Sequence, residues 1–416
     1  MGFFDWINGY RAKLSGRDGD DQGRYWAHGG LPLPRINQAG VLGLAAAWAC
    51  VRLKSRVVGS LPMTLYSKQP GNGRQEESSH WLYDLLHDSP NAEQTPYEFW
   101  AGMVGCIDLW GNGYAEKSLG ALGRTTALTP IAPDTMRVRR NAGGARIYAF
   151  SDRGKREELP EEKVFHLRGL TLGGDVGLSA VAAGCQSLSG ALSAERTAAN
   201  LVGHGLQISG FMETGANRLS PEQRHDLVNI FDAFTGTDQA GKIMPLEKDF
   251  KFQPLRMNPQ EAQLLETRGR NVEEVCRWFD TPPILIGHAS AGQTMWGSGV
   301  EQIFLGWLTT GLNPLFVSIE QAARKQLLPP EERRKFKPEF NREGLLAADS
   351  AARAALYSAL GQNGVMTRNE MRAKENLPSQ PGGDVLTVQS NLVPLDQLGT
   401  IQPRKVQPAP GEPIED

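Results

Sequence analysis

Residues 258–300 read NPQEAQLLETRGRNVEEVCRWFDTPPILIGHASAGQTMWGSGV. This stretch contains, in order, a charged helix, a stop, an uncharged loop and the start of an apolar helix. Asn258-Pro259-Gln260-Glu261 is a capping box, in which the cap residue and an acid three positions later satisfy the first N–H groups of a helix. The helix is predicted to run to about Phe279, and Pro282-Pro283 then ends it. The order predicts a loop held between two well-specified helices.

The loop itself, residues 287–299, contains no Lys, Arg, Asp or Glu and carries one tryptophan, Trp296. A connection of this length inside a compact domain is uncommon unless it is functional. Its composition favours passive contact with a smooth, moving partner molecule rather than catalysis. We interpret the loop as functional, and the alternative is a disordered connector.

A second long helix precedes the first one. Residues 179–203 place apolar side chains at helical spacing and fill the remaining surface with Ala, Gly and Ser. Between the two helices the sequence predicts strands at 209–214, 242–247 and 250–255 and a capped helix at 220–234. The expected geometry is a pair of antiparallel legs with a small α+β domain at their far end.

The flanking regions are also patterned. Before the legs we expect an α+β domain to about residue 177, with helices at 44–58 and from the Thr95-Pro96-Tyr97-Glu98 capping box to Trp110. Its strands are expected at 61–66, 114–118, 128–131, 136–140, 147–150 and 164–167. After the loop, an apolar helix from Val300 is predicted to kink near Pro314. A helical pair at 343–360 and 367–376 and a proline-rich tail follow.

Composition narrows the function classes. The 416 residues carry 44 basic and 46 acidic side chains, a net charge of −2, which argues against a protein that wraps nucleic acid tightly. It is compatible with a protein that lets nucleic acid slide past. No run reaches the roughly 18 apolar residues of a membrane helix, and the start lacks the features of a secretory signal, so we expect no membrane association and a cytosolic origin.

Candidate chemistry is sparse. The seven histidines lack metal-ligand spacing, and the four cysteines, Cys50, Cys106, Cys185 and Cys276, are expected to be reduced core residues. The loop glycines lack the Gly-Lys-Ser/Thr ending of a phosphate-binding loop. One catalytic alternative is a hydrolase that uses His288 with Ser290 or Ser298, although no supporting acid or Gly-x-Ser-x-Gly motif is present. The sequence therefore predicts no enzyme, no metal and no cofactor.

Several ordered motifs carry a resemblance to a known family. They are ACVRLKSRVVGSLP at 49–62, DLWGNGYAE at 108–116, GLS at 177–179, RWFDTPP at 277–283, NEMR at 369–372 and ENLP at 375–378. Through them the chain resembles the portal proteins of tailed bacteriophages, of the short type found in siphophages and related prophages. Each motif alone is weak evidence for this family, but the order of the motifs along the chain is specific to it.

The resemblance implies an α+β portal fold assembled as a ring, usually of twelve subunits, at one capsid vertex, through which double-stranded DNA is packaged and ejected. It implies contacts with the large terminase, a head-tail adaptor and the major capsid protein or scaffold, in the virion and, during assembly, in the host cytoplasm. The terminase is a separate ATPase, which agrees with the missing phosphate-binding loop. The alternative within this class is another ring or adaptor protein of the head-tail junction.

The implied domains follow the chain in order. They are a flexible arm at 1–38, the first part of the wing at 39–178, a stem helix at 179–205, the clip at 206–257, a second stem helix at 258–283, the tunnel loop at 284–299, a tunnel and wing helix with its return at 300–341, the crown at 342–380 and a flexible tail at 381–416.

Two groups of site residues follow from this mapping. The DNA-facing residues of the tunnel loop are expected to be Ser290, Gln293, Thr294, Met295, Trp296 and Ser298. The clip residues expected to dock terminase or adaptor are Glu222, Arg224, Asp226 and Asn229.

Overall fold

The structure is a computed structural model that describes residues 36–69, 73–120, 123–203, 210–214, 250–254, 260–289, 298–342, 350–375 and 377–387, together with residues 220, 222 and 225. The chain divides into two compact units, 1–341 and 342–416. Among the described helices, none is both long enough and apolar enough to span a membrane.

The first unit opens with helices that pack on one another. They are α1 (Gln38–Leu42), α2 (Ala45–Gly59), a short α3 (Trp81–Tyr83) continued by a π turn (Asp84–Asp88), and α4 (Pro96–Trp110). The predicted capping box of α4 is confirmed, because the Thr95 hydroxyl accepts from the Glu98 N–H while the Glu98 carboxylate accepts from the Thr95 N–H at 2.8 Å. Gly111, at a φ of 74°, ends α4. α2 and α4 lie against each other.

Three antiparallel sheets accompany these helices. Their strands are β1 (Met63–Lys68), β2 (Arg74–Glu76), β3 (Asn112–Leu119), β4 (Thr125–Ile131), β5 (Arg137–Arg140), β6 (Arg146–Asp152), β7 (Lys155–Pro160), β8 (Val164–Arg168) and β11 (Phe336–Phe340). The sheet orders are β11-β1-β2, β4-β3-β8 and β5-β6-β7. Trp100 on α4 makes edge-on ring contacts with Phe165 and Phe340, so strands far apart in sequence share one core.

Three of these strands were not predicted. β7 exposes nearly every side chain, β2 exposes all three, and β11 contains Pro338. β2 and β7 lack the alternation of apolar and polar residues on which a sequence-based strand prediction depends, and in β11 the proline argues against a strand. Backbone pairing with a neighbouring strand forms these strands. In the case of β11, the partner is β1, which runs antiparallel to it with Met63 opposite Phe340.

The predicted single helix over 179–203 is wrong at one point. The structure has α5 (Ala180–Ala183), a break at Gly184, and α6 (Cys185–Gly203). The indole of Trp278 packs on Gly184 so closely that a Cβ there would lie 2.7 Å from the Trp278 Cδ2. A tertiary contact therefore interrupts a pattern that is helical by itself.

The second leg is α7 (Gln260–Trp278). Leu188 and Ala191 near the start of α6 share a buried cluster with Val275 and Phe279 near the end of α7. The far ends of the same two helices lead toward β9 (Gly210–Thr214) and β10 (Phe250–Pro254), which pair antiparallel. The predicted antiparallel arrangement of the two legs agrees with these contacts. The cap at Asn258 and the helix predicted after Ser220 lie largely outside the described residues.

After the loop the chain forms α8 (Ser298–Trp307), a π turn (Leu308–Leu312) and α9 (Asn313–Leu327). Pro314 occupies the first turn of α9, so the irregularity predicted near it is the π turn that precedes it. The Gln326 side chain at the end of α9 bonds both the N–H and the C=O of His166 on β8, each at 2.8 Å. α9 is thereby fixed to the β4-β3-β8 sheet.

The second unit contains α10 (Ser350–Gln362) and α11 (Arg368–Lys374). The predicted capping box at Thr367 and Glu370 is confirmed. Asn369 donates to the Gln380 carbonyl and the Asp384 carboxylate at 3.0 and 2.9 Å, and its N–H donates to Gly383 O. These bonds hold the turn around residue 382 against α11.

Candidate functional site

The candidate site is the frame that presents the predicted tunnel loop. Ser298 is the first residue of α8. The other expected loop residues, Ser290, Gln293, Thr294, Met295 and Trp296, lie outside the described residues. We call the residues that flank this gap, 279–289 and 298–312, the loop frame.

The chain turns sharply where α7 ends. Asp280 takes a left-handed backbone conformation with a φ of 50°, which is uncommon for a residue other than glycine. The Thr281 N–H donates to Cys276 O at 3.0 Å, and the Thr281 hydroxyl donates to Phe279 O at 3.1 Å. A 3₁₀ turn follows (Pro283–Ile286) and ends at Gly287, whose φ is 83°. The first side of the frame is thus a hydrogen-bonded reversal with proline-restricted backbone.

The second side of the frame is tied to the first through Trp307. Its indole Nε1–H donates to Asp280 O at 2.8 Å, and its side chain is buried. Gly311, in the π turn, lies under the same ring, where a Cβ would come within 2.7 Å of Trp307 Cδ1. The helix that follows the loop, α8, is therefore hydrogen-bonded to the turn at Asp280 that precedes the loop.

A buried ion pair lies beneath the turn. Lys54 Nζ on α2 is 2.6 Å from Asp108 Oδ1 on α4 and also donates to Phe279 O at 3.2 Å. Burial raises the pKa of the Asp108 carboxyl, and the Lys54 ammonium opposes that rise. Within the described part of the chain, Asp108 Oδ2 has no hydrogen-bond partner. One ammonium thus links α2 and α4 to the carbonyl of Phe279, directly after the end of α7.

Sequence reasoning missed this pair, although a signal for it exists. Lys54 follows Cys50 by four residues and precedes Val58 by four, so it lies on the buried face of α2. Asp108 follows Val104 by four residues on the buried face of α4. A lysine and an aspartate at core positions of neighbouring helices indicate a buried ion pair.

A groove opens beside the frame, with a volume of about 410 Å³. Its walls are the end of α7, the turn after it and the inner side of α8. The lining residues include Glu273, Cys276, Arg277, Asp280, Thr281 and Trp307. The groove places the last turn of the second leg within reach of small molecules in solvent.

His166 on β8 belongs to a separate buried network that includes residues of β3 and β6. The Tyr148 hydroxyl lies 3.2 Å from its Nδ1, and its Nε2 lies 3.0 Å from Asn112 Oδ1. Asn112 Oδ1 also accepts from the Gly177 N–H at 2.6 Å. Burial, with smaller contributions from Arg168 and Arg146, lowers the pKa of His166 to about 3. A neutral histidine with both ring nitrogens satisfied is a structural residue.

The other expected site residues are only partly described. Glu222 is exposed and helical, whereas Arg224, Asp226 and Asn229 lie outside the described residues. For the hydrolase alternative, His288 precedes the gap and Ser298 follows it, and Ser290 is not described. Across the described residues, no group of three His, Cys, Asp or Glu side chains is arranged to hold a metal ion.

Comparison with known proteins gives consistent matches. The family described as phage portal protein matches residues 45–376. A portal protein of Enterobacteria phage HK97 is 32% identical over 396 residues, which cover 95% of this chain and 93% of the relative.

Two solved structures share the fold. One is the crystal structure of an HK97 family phage portal protein from Corynebacterium diphtheriae, with a TM-score of 0.56 and 16% identity, covering 75% of this chain and 98% of that one. The other is a chain in the neck of a native gene transfer agent particle computed with C12 symmetry, with a TM-score of 0.55 and 22% identity, covering 89% of this chain and 98% of that one.

Proposed function

This chain belongs to the phage portal protein family, and we propose that it forms a closed ring at one capsid vertex through which double-stranded DNA is packaged and later ejected. The observation that carries the proposal is the family match over residues 45–376, which includes the whole loop frame. The ring places the chain in the virion, and in the host cytoplasm while particles are assembled.

A ring of twelve copies is the assembly that we propose. The related chain in the gene transfer agent neck was computed with twelvefold symmetry. A head-to-tail interface closes into a ring when its rotation divides a full turn. The twelve copies would then present twelve tunnel loops to one axis.

We propose that residues 284–299 face this axis and contact DNA through Ser290, Gln293, Thr294, Met295, Trp296 and Ser298. Affinity for duplex DNA comes mainly from cationic groups that neutralise phosphates. The segment 287–299 has no Lys or Arg, so a ring of such loops touches the duplex without holding it in one register. The hydrogen-bonded frame supports this role, because it fixes both ends of the loop to the wing and the second leg.

The remaining parts take the roles that the family mapping implies. Residues 39–178 and 300–341 form the wing, 179–205 and 258–283 the stem, 206–257 the clip and 342–380 the crown. The wing then meets capsid protein or scaffold, and the clip docks terminase or the head-tail adaptor.

For the clip we propose docking through Glu222, Arg224, Asp226 and Asn229. Glu222→Arg is expected to weaken capture of purified terminase or adaptor, whereas Glu157→Arg, on the exposed strand β7, is expected to leave it unchanged. Equal capture by both variants would remove Glu222 from the docking surface.

Deletion of residues 289–297 tests the tunnel loop. We expect the deletion variant to assemble rings, because Ala289 is the only deleted residue that belongs to the described frame and wing, and to fail in packaging DNA into proheads. A matched control replaces 290–296 by an equally long Gly/Ser segment, which separates the length of the loop from its side chains. Normal packaging by the deletion variant would show that the loop has no part in translocation.

A further inference from the structure

Two of the four cysteines meet although 226 positions separate them in sequence. The Sγ atoms of Cys50 on α2 and Cys276 on α7 are 3.8 Å apart. Both side chains are buried in the cluster that joins the wing to the legs. A disulfide needs an S–S distance of about 2.05 Å, so closure requires an approach of about 1.8 Å. Rotation about the two Cα–Cβ bonds moves sulfur atoms over that range.

The surroundings favour ionisation of one thiol of this pair. The Cys276 thiol lowers the pKa of Cys50, and the Thr281 hydroxyl and the Lys54 ammonium act in the same direction, against burial. The pKa of Cys276 is raised, because it shares its hydrogen bond with Cys50 and is buried. Cys106 differs, since burial raises its pKa to about 11. The thiolate is the nucleophile in disulfide exchange, so the pair is better poised for it than Cys106.

Solvent comes nearest to the pair on one side. Cys276 borders the groove of about 410 Å³ between the end of α7 and α8. Arg277, Thr281 and Trp307 line the same groove. Cys276 is 1% exposed and Cys50 is 0% exposed, so a small disulfide in the groove meets Cys276 before Cys50 and reaches it when the lining side chains move aside.

We propose that Cys50 and Cys276 are a reversible disulfide site that is oxidised by small-molecule disulfides. In the first step ionised Cys50 takes the proton of the Cys276 thiol across their 3.8 Å contact, and the Cys276 thiolate so formed attacks the small disulfide, which forms a mixed disulfide and expels one small thiolate. Cys50 passes this proton to the expelled thiolate, and the Cys50 thiolate then attacks Cys276 Sγ, which closes the protein disulfide and expels the second small thiolate. The two protein thiols lose two electrons and two protons, and the small disulfide becomes two thiols.

The closed bond joins α2 of the wing to the last turn of α7, directly before the loop frame. The thiol chemistry is independent of the proposed function, whereas its consequence for a particle rests on it. Assembly in a reducing cytoplasm leaves the pair as thiols, and release into an oxidising medium closes it. The disulfide then holds the turn at Asp280 against the wing.

The test uses the purified full-length chain in buffers that range from reduced to oxidised glutathione. Free thiols are counted by alkylation and mass spectrometry, and disulfide-linked peptides are mapped without reduction. We expect the count to fall from four to two, a linked peptide pair containing Cys50 and Cys276, and a thermal midpoint that rises by a few degrees. Reduction reverses all three changes.

Three variants sharpen the result. Cys50→Ser and Cys276→Ser are expected to abolish the linked peptides and the thermal shift, whereas Cys106→Ser keeps both. Four free thiols in fully oxidised buffer, or linkage of Cys106 or Cys185 in the native protein, would overturn the proposal. Because the wild-type chain alone gives this answer, poor folding of a variant does not obscure it. If the disulfide does not form but rings assemble and package DNA normally, the disulfide proposal fails and the proposed function stands. If the disulfide forms but rings or packaging fail, the proposed function fails and the disulfide site stands.

Discussion

At the scale of single residues, the loop frame depends on two side chains that reach across the fold, Lys54 and Trp307, and on the local bond of Thr281. Lys54 bonds Asp108 and Phe279 O, Trp307 bonds Asp280 O, and Thr281 bonds Phe279 O. Each of them satisfies a backbone carbonyl at the point where the second leg ends. The loop frame is held by these bonds, because the carbonyls of Phe279 and Asp280 otherwise lack partners in a buried turn.

Lys54→Met is expected to destabilise the folded chain by about 3–5 kcal/mol, because it leaves the Asp108 carboxylate buried without its counter-charge. The double variant Lys54→Met/Asp108→Leu is expected to recover most of that loss, since no uncompensated charge remains. Urea unfolding of the two variants and wild type measures the difference. A double variant that is as unstable as the single one would contradict a buried ion pair.

His166 makes stability depend on pH. Its pKa is lowered from 6.5 to about 3 by burial, so the unfolded chain binds a proton that the folded chain does not. The contribution of neutral His166 is present above pH 6.5 and is lost as the pH falls toward 3. The expected slope is about 1.4 kcal/mol per pH unit within that window.

The slope can be assigned by substitution. His166→Gln is expected to remove it from the unfolding free energy measured between pH 4.5 and 6.5, whereas His225→Gln, at an exposed position, keeps it. An unchanged slope in His166→Gln would show that another group carries the pH dependence.

At the scale of elements, the sequence predicts what is local and misses what is tertiary. The capping boxes at Thr95 and Thr367 are complete in four residues, and both form as predicted. The break at Gly184 depends on Trp278, 94 residues further along, and nothing near Gly184 indicates it. The Cys50 and Cys276 contact escaped prediction for the same reason.

Gly184→Ala tests the reason given for the break. A Cβ at Gly184 would lie 2.7 Å from the Trp278 ring, so we expect a destabilisation of about 1–3 kcal/mol. Gly190→Ala is the matched control on α6, where a Cβ meets nothing within 4 Å, and we expect a gain of about 0.5–1 kcal/mol. Chemical unfolding measures the change in the free energy of unfolding for both variants. Equal changes would show that the contact with Trp278 does not cause the helix break at Gly184.

At the scale of the whole molecule, the order of elements carries the family identity. The portal fold and family implied by the ordered motifs are confirmed by the match over residues 45–376 and by the two solved structures of the same fold. The strands β2 and β7 could not be predicted because nearly all of their side chains are exposed, and β11 could not because it contains Pro338 and pairs with β1, far away in sequence. The expected loop and clip contacts remain predictions, since contacts with a partner molecule leave no residue spacing by which a single chain reveals them.

We propose that twelve copies enclose a channel lined by the 284–299 loops. The decisive experiment is cryo-electron microscopy of the purified full-length chain, with and without a short duplex DNA. We expect closed twelvefold rings with a channel wide enough for a double helix and density for residues 290–297 on its inner wall. Monomers, open filaments, or rings in which these residues lie on the outer surface would contradict it.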